Sequence, residues 1–285
     1  MKAEDPHLTS GLHRYAILVA CCALIAIAFG AIVTSLERPI AVNPTAITPA
    51  AVSFEFWHRA TGVLALILTI VLAFWLASAK SHKQAVQFGW IAASAGLIEA
   101  ALGLGPVLLA LAPLTDILHA LLGPIFLASI AAIAVMTSES WQRGPVLIED
   151  SWHPSMRTLA IAVPAIVLLQ IALGAAYRYR ALGVLWHILN AMIVLLSVLI
   201  VAVFLIRQFP EHPTLRPAAI AAAIIASIQV LLGFTTFMML ILFPETDLAV
   251  VITSVLHVVN GSLTLGASVV LAIEIRYNTR PQAAA

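Results

Sequence analysis

Four of the nine histidines lie where long apolar runs begin, and imidazole is a side chain that binds metal ions and transfers protons near neutral pH. Each of the four is followed, four residues later, by glycine or alanine, in the motifs HRATG, HALLG, HILNA and HVVNG. The other five fall in the predicted N-terminal tail and loops, where we expect solvated side chains. A single intramembrane histidine is often explained by packing, but four at equivalent places indicate ligands. The four are His58, His119, His187 and His257.

Two carboxylates accompany the first two of these histidines. Glu55 precedes His58 by three residues and Asp116 precedes His119 by three, so each acid shares a helix face with its histidine. Beside a bound substrate, such a carboxylate can take up protons as the substrate is oxidised. For Asp116 the alternative is simple stabilisation of a helix N-terminus. Only the first half has these acids, because the equivalent positions in the second half hold Val184 and Ser254.

The elements that carry these side chains are predicted to be membrane-spanning helices. The chain has 285 residues, of which 62% are hydrophobic and only 9% charged, whereas soluble domains have about 25% charged residues. Apolar runs of about 20 residues span a bilayer as helices, while β-barrel strands are shorter and alternate in polarity. We therefore predict an all-α integral membrane fold, with eight transmembrane helices arranged as two similar four-helix bundles. The predicted spans are roughly 15–36, 56–79, 85–111, 116–137, 157–177, 184–206, 217–243 and 249–274.

The basic residues lie unequally at the two ends of these spans, and that inequality predicts orientation. One side has only Arg38, Arg59, Arg178 and Arg180. The other side, which includes both termini, has Lys2, Arg14, Lys80, Lys83, Arg143, Arg157, Arg207, Arg216, Arg276 and Arg280. Both termini are thus expected in the cytoplasm and the four histidines near the outer face of the cell membrane. The first run is too long for a signal peptide, so we expect it to be the first permanent span.

A two-helix unit repeats four times along the chain. The odd-numbered spans contain EAALG, QIALG and QVLLG, with a weaker relative, AIAFG, in the first span, and the even-numbered spans contain the histidine motifs. We predict an N-terminal half over 1–137, a cytoplasmic linker over 138–156 and a C-terminal half over 157–285. The small residue after each histidine leaves room for a flat ligand, or alternatively serves close helix packing.

The number and placement of the histidines favour haem over zinc. Zinc usually takes three or four clustered ligands, whereas these histidines fall two per half. Haem iron takes axial histidines, and facing helices of a bundle can supply them. The only cysteines, Cys21 and Cys22, are adjacent and form no thiolate metal motif. The sequence therefore predicts two haem sites, one at His58 with His119 and one at His187 with His257.

Two further charged residues lie in or beside the spans. Glu99 occupies the position that Gln170 and Gln229 occupy in the other repeats. It is either a glutamine-like hydrogen-bonding residue or part of a proton relay. Arg178 ends the fifth span, where it either pairs with the propionates of the second haem or extends to the membrane surface.

These residues resemble the haem A synthase family over nearly the whole chain. The motifs that carry the resemblance are E-x-x-H-R at 55–59, one histidine in each even-numbered span, and QIALGAAYR followed by WHILNA. The resemblance implies an enzyme that oxidises a ring methyl of haem O to a formyl group, giving the haem A of terminal oxidases. It implies a substrate haem site with Glu55, His58 and His119, and a haem b on His187 and His257. Many members have a cysteine pair in the first external loop, but LERPIAVNPTAITPAAV has none, so no thiol step is expected.

Two other functions are compatible with the sequence. One is a non-enzymatic di-haem membrane cytochrome that relays electrons to or from quinone, and the other is a transporter built on repeats. A transporter would need a polar path, and the spans offer only Glu99, Gln170 and Gln229 at mid-depth. Besides the lipid bilayer, the expected partners of the enzyme are haem O, a haem O synthase and a quinone or other electron acceptor, and no nucleic acid.

Overall fold

The computed structural model describes residues 6–37, 49–103 and 113–281, and nearly all of them are helical. Eight helices in this described part of the chain are long and apolar enough to cross a membrane. The prediction of an all-α, multi-pass membrane protein is thus confirmed. The elements are α1 (Pro6–Glu37), α2 (Pro49–Ser78), α3 (Lys83–Gly103), α4 (Leu114–Met136), the short α5 (Glu139–Gln142), β1 (Ile148–Asp150), α6 (Met156–Arg178), α7 (Val184–Gln208), α8 (Leu215–Leu242), α9 (Leu248–Asn278) and β2 (Thr279–Pro281).

The spanning helices pack as two rings of four. In the N-terminal ring, α1 and α3 each contact both α2 and α4, and in the C-terminal ring α6 and α8 each contact both α7 and α9. Among the described residues, the diagonal helices α2 and α4 meet only marginally, and so do α7 and α9. The two rings join mainly through α4 against α9, with α1 against α9 and α4 against α6. In each four-helix ring, the two diagonal helices therefore face each other across a gap at the centre of the ring.

The helices alternate in direction, which gives the protein two distinct ends. We call the end at which α2, α4, α7 and α9 begin the histidine end, and the opposite end, which carries residues 138–156, the linker end. The largest fully buried side chains all lie in the half of the bundle next to the linker end. They include Leu12, Leu72, Leu76, Ile130 and Ile133 in the first ring, and Leu205, Leu215 and Ile275 in the second. The hydrophobic core is thus densest away from the histidines, and smaller side chains are buried around them.

The structure corrects the predicted start of the second span. The sequence predicts this span at 56–79, but α2 begins at Pro49. Proline at the first helical position needs no amide donor, and the alanines that follow it favour helix. His58 therefore lies more than two turns inside α2 rather than at its mouth. Residues 104–111, the predicted end of the third span, lie outside the described residues.

The linker end is tied together by polar and aromatic contacts. Strand β1 pairs in parallel with β2, so the segment between the two rings lies against the end of α9. The Asp150 carboxylate accepts hydrogen bonds from the backbone amides of Met156 and Arg157, at 3.1 Å each, and so caps α6. Trp141 and Tyr277 stack with their ring centroids 3.7 Å apart. These contacts fix the linker against both rings.

Two histidines outside the four motifs are not solvated as the sequence suggested. His13 lies within α1, and its Nδ1 is 2.8 Å from the backbone oxygen of Ala134 on α4. His212 is buried, and its Nδ1 accepts hydrogen bonds from the amides of Thr214 and Leu215 at the start of α8. Both are therefore structural residues that join elements at the linker end.

Candidate functional site

The structure brings the four motif histidines together as two pairs. The ring centroids of His58 and His119 lie 5.9 Å apart, with their planes at 88°. Those of His187 and His257 lie 6.0 Å apart, with their planes at 83°. In each pair the histidines come from diagonal helices that otherwise barely meet. The imidazoles are thus the groups that approach across the gap of each ring.

The spacing within each pair suits a metal ion held from opposite sides. Metal–nitrogen bonds of about 2 Å place the centres of two such imidazoles about 6 Å apart. Among the described residues, no group of three or more His, Cys, Asp or Glu side chains could hold a metal ion together. Each pair could therefore supply two nitrogen ligands, the number that a six-coordinate haem iron takes from protein when its macrocycle fills the other positions.

The hydrogen bond of each imidazole leaves one nitrogen available. The Nδ1 atoms of His58, His119 and His187 lie 2.9, 3.2 and 3.2 Å from backbone carbonyl oxygens of the preceding odd-numbered spanning helix. His257 likewise hydrogen-bonds the backbone of Gln229. A carbonyl oxygen only accepts, so Nδ1 is the donor, and in a neutral imidazole of this tautomer Nε2 has the free lone pair. This is the arrangement in which a metal-ligating histidine is oriented by its second nitrogen.

A glycine four residues after each carbonyl makes room for the ring. A methyl group added at Gly30 would lie 2.9 Å from Cε1 of His58, and one at Gly174 would lie 2.8 Å from Cε1 of His187. The corresponding distances are 3.4 Å from Gly103 to His119 and 2.9 Å from Gly233 to His257. In the repeated x-x-x-x-G pattern of the odd-numbered spans, the carbonyl oxygen of the first residue accepts the hydrogen bond of the imidazole, and the glycine leaves space for the imidazole. We call this arrangement a glycine socket. The four residues whose carbonyl oxygens accept these hydrogen bonds are Ala26, Glu99, Gln170 and Gln229.

At two of the glycines that follow the histidines, the structure favours the packing alternative. A methyl at Gly123 would lie 3.3 Å from Oε1 of Glu99, and one at Gly261 would lie 3.1 Å from Nε2 of Gln229. At these positions the space beside the helix is filled by a side chain of the neighbouring helix, as close packing requires. Among the three glycines that follow a motif histidine, only Gly62 has space in which an added methyl would meet nothing within 4 Å.

In the C-terminal ring an amide network surrounds His187. The Gln170 amide nitrogen lies 3.0 Å from Nδ1 and 3.3 Å from Nε2 of His187, so it packs against the ring face rather than along one N–H direction. It also donates to the His187 carbonyl at 2.9 Å. Asn190 in turn donates to Gln170 Oε1 at 2.8 Å. The glutamine therefore holds the ring, and the asparagine holds the glutamine.

The same network recurs around His257. The Gln229 amide nitrogen lies 3.1 Å from Nδ1 and 3.4 Å from Nε2 of the ring. Asn260 donates to Gln229 Oε1 at 2.9 Å and to the Ile225 carbonyl at 3.0 Å. Both histidines of the C-terminal pair are thus held by a Gln–Asn pair. We call these two pairs, Gln170 with Asn190 and Gln229 with Asn260, the amide latches.

The N-terminal pair has no such latch. Ala26 stands in place of the glutamine beside His58, and Thr61, in place of the asparagine, bonds only to carbonyls of its own helix. Beside His119, Glu99 stands in place of the glutamine with Oε1 3.4 Å from Nδ1, and its buried Oε2 has no partner among the described residues. The asparagine position there is Leu122. The two histidine pairs thus share the spacing of their imidazoles and differ in the side chains that contact those imidazoles.

The predicted carboxylates lie at the histidine end of the N-terminal ring. Glu55 Oε1 accepts a hydrogen bond from Arg59 at 2.6 Å, and these side chains are 41% and 54% exposed. The glutamate is therefore ion-paired and reachable from outside the bundle. Asp116 lies half-buried in the first turn of α4, three residues before His119. Both acids are near the first histidine pair, and the second pair has none in the same relation.

Arg178 joins the two rings at the histidine end. Its guanidinium donates to the Ala31 carbonyl at 3.2 Å, to the Thr34 hydroxyl, and to the Ser35 hydroxyl at 2.9 Å, all on α1. The predicted cofactor-binding arginine thus belongs to α6 of the C-terminal ring, while its guanidinium bonds the last turns of α1 in the N-terminal ring.

Comparison with known proteins adds no family. No model of a known protein family matches the chain, and no curated protein matches it either. The function therefore rests on the residues and on the geometry described above.

Sequence reasoning missed the sockets and the amide latches. The asparagines were visible in HILNA and HVVNG, three residues after each histidine of the second half, where HRATG and HALLG have threonine and leucine. Pairing this asparagine with the glutamine of QIALG and QVLLG was the available signal. What the sequence lacked was the relative rotation of neighbouring helices, which decides that glutamine and asparagine meet.

Proposed function

We propose that the protein is a membrane oxidoreductase of the haem A synthase type, which oxidises a ring methyl of haem O to a formyl group. The observation that carries this proposal is the presence of two separate histidine pairs, each with ring centroids about 6 Å apart. One pair can bind a porphyrin substrate, while the other holds a haem that accepts electrons from it.

The substrate site is assigned to the N-terminal pair. His58 and His119 hold haem O there, and Glu55 takes up protons released at the ring methyl. Water supplies the formyl oxygen, and the oxidation releases electrons and protons in equal number. Arg59 keeps the Glu55 carboxylate at this end of α2 through its ion pair. The support for this assignment is that the exposed acid lies three residues from a substrate ligand and has no counterpart in the other half.

The C-terminal pair is assigned to a resident haem b. Bound to His187 and His257, haem b supplies one-electron redox chemistry. The electrons leave to a quinone or another acceptor. Arg178, in the last turn of α6, lies at the histidine end of the same ring, which suits a partner of a propionate. The distribution of lysine and arginine supports cytoplasmic termini and haem sites near the outer membrane face.

A di-haem cytochrome without enzymatic activity is the second candidate. One observation favours it, since both histidine pairs have nearly the same spacing and interplanar angle. A relay of electrons needs no carboxylate, so a cytochrome would be indifferent to replacement of Glu55.

The test is to express the protein with a supply of haem O and to separate the extracted haems by chromatography. The enzyme should yield haem A or a hydroxylated intermediate, and Glu55→Ala should lose this product while the Soret band remains. A protein with a Soret band that never yields an oxidised haem would be a cytochrome. A purified protein without any Soret band would refute both functions.

A further inference from the structure

The amide latches are the largest difference between two sites that otherwise share one geometry. All four histidines have a backbone acceptor for Nδ1 and a glycine beside the imidazole, although at Gly103 an added methyl would be in ordinary van der Waals contact with His119. Only His187 and His257 also have a glutamine amide against the ring face, itself fixed by an asparagine. The difference is therefore in the outer contacts of the ligands and not in the ligands themselves.

Outer contacts of this kind control how tightly a histidine holds a metal. A ring with one hydrogen bond to a carbonyl can still tilt about that bond, whereas a ring also covered by a fixed amide has its plane defined. Loss of such a contact typically weakens metal binding about 10- to 100-fold. Each latch is also anchored on two helices, since the glutamine lies on α6 or α8 and the asparagine on α7 or α9. Movement of a latched histidine thus requires the helices themselves to separate.

The N-terminal ring departs from the latch at both of its sockets. Ala26 has no amide to place on His58. Glu99 has no N–H to donate to the His119 carbonyl, and Leu122 cannot donate to the orphaned Glu99 Oε2. Helix packing alone does not account for this pattern, because α1 contacts α2 and α3 contacts α4 without any latch.

We infer that the amide latches decide which haem is permanent and which exchanges. The Gln170–Asn190 and Gln229–Asn260 pairs are positioning residues that keep the C-terminal haem bound. At the equivalent positions the N-terminal ring has Ala26 with Thr61, and Glu99 with Leu122. Without an amide latch, the N-terminal site takes up substrate and releases product. This inference rests on the proposed function, because it concerns the exchange of haem at the two assigned sites.

The experiment compares haem loss from latched and unlatched protein. Wild-type protein expressed with a haem O supply is purified in detergent and mixed with excess apomyoglobin, and transfer is followed in the Soret region. Chromatography then identifies which haem left in each phase. The wild type should lose haem O or its product quickly and haem b slowly. In Asn190→Leu/Asn260→Leu the haem b phase should accelerate roughly 10- to 100-fold, and the low-spin haem signal in electron paramagnetic resonance should broaden as the ring planes vary.

Two further variants separate the latch from general stability. Ser197→Ala, which removes a hydrogen bond from Ser197 to the Ile193 carbonyl within α7, should leave the haem b rate unchanged. Glu99→Gln/Leu122→Asn builds a latch beside His119 and should slow release from the N-terminal site by roughly tenfold. This gain remains measurable even if the double leucine variant does not fold.

The outcomes distinguish the inference from the function beneath it. Unchanged haem b loss in the double leucine variant, with only a lower thermal midpoint, would show that the amides merely join helices. Unchanged release in Glu99→Gln/Leu122→Asn would overturn the inference in the same way. Either result leaves the proposed enzyme intact as long as oxidised haem is formed. A wild type without a Soret band would overturn the proposed function, and the inference with it.

Discussion

The N-terminal and C-terminal histidine sites differ less in their ligands than in their surroundings. Both pairs have ring centroids about 6 Å apart, on diagonal helices of a four-helix ring. The N-terminal site adds an exposed Glu55–Arg59 ion pair and a carboxylate without a full set of partners at Glu99. Beside its histidines the C-terminal site adds neutral amides, which are hydrogen-bonded. Under the proposed function, this difference equips one site for proton transfer and the other for firm binding of its haem.

The strongest test of this comparison is to remove one ligand from each site. His257→Ala should abolish the haem that survives purification, because the remaining imidazole cannot hold iron from both sides. His58→Ala should leave that haem and lose only substrate binding. The measurement is the haem content per chain after purification, with His153→Ala, an exposed histidine near the linker end, as the control. Equal loss from His257→Ala and His58→Ala would mean that the sites do not divide their roles.

Replacing Glu55 tests whether chemistry belongs to the N-terminal site alone. Glu55→Gln should lower formation of oxidised haem by about 10²- to 10⁴-fold, the usual range for loss of a general base. The Soret band and haem content should be unchanged, because Glu55 does not contact the C-terminal pair. Product is measured by chromatography of extracted haems. Arg59→Gln should cause a smaller loss, since it leaves the carboxylate in place and removes only its ion-pair partner. Full product formation in Glu55→Gln would mean that a group other than Glu55 takes up the protons.

The same glycine-to-alanine substitution can be compared at a glycine socket and at a glycine outside the sockets. In Gly174→Ala the new methyl would lie 2.8 Å from Cε1 of His187, so the ring or α6 must shift. In Gly62→Ala the methyl would meet nothing within 4 Å, and alanine favours helix over glycine by about 1 kcal/mol. We expect haem b loss to be roughly tenfold faster from Gly174→Ala than from the wild type. In Gly62→Ala the rate of haem b loss should be unchanged. Comparable haem loss from the two variants would mean that Gly174 is not a socket for the ring.

The sequence predicted the pairing of the histidines but not what holds them. The four motifs recur at one position in a repeated helix pair, so periodicity alone placed His58 with His119 and His187 with His257. The contact of Gly174 with His187 depends on how α6 is rotated against α7, which no spacing within one helix determines. The sequence did not predict the amide latches for the same reason, although Asn190 and Asn260 were visible in their motifs.

Helix ends and buried loop residues were the other features that sequence patterns missed. Hydrophobicity places the second span at 56–79, because the residues before Phe56 include small and polar ones that are not typical of a membrane span. In the structure, however, α2 begins at Pro49. His212 was expected in solvent because it falls in a predicted loop, but it is buried and caps the start of α8. Its environment is set by the Val146 carbonyl, which lies 3.0 Å from Nε2 and comes from a distant part of the chain.

The smallest expected effect concerns Arg178, which belongs by sequence to the C-terminal half and by hydrogen bonding to α1. Arg178→Met removes charge-assisted bonds to the Thr34 and Ser35 hydroxyls, which together contribute about 1.5–3 kcal/mol to the free energy of unfolding. That loss is measured by equilibrium unfolding in mixed micelles, with Arg180→Met, an exposed neighbour, as the control. If Arg178 serves only to join the rings, stability falls and the rate of haem b loss is unchanged. If it also binds a propionate, haem b loss accelerates as well, and the arginine then couples the permanent site to the helix that carries the socket of His58.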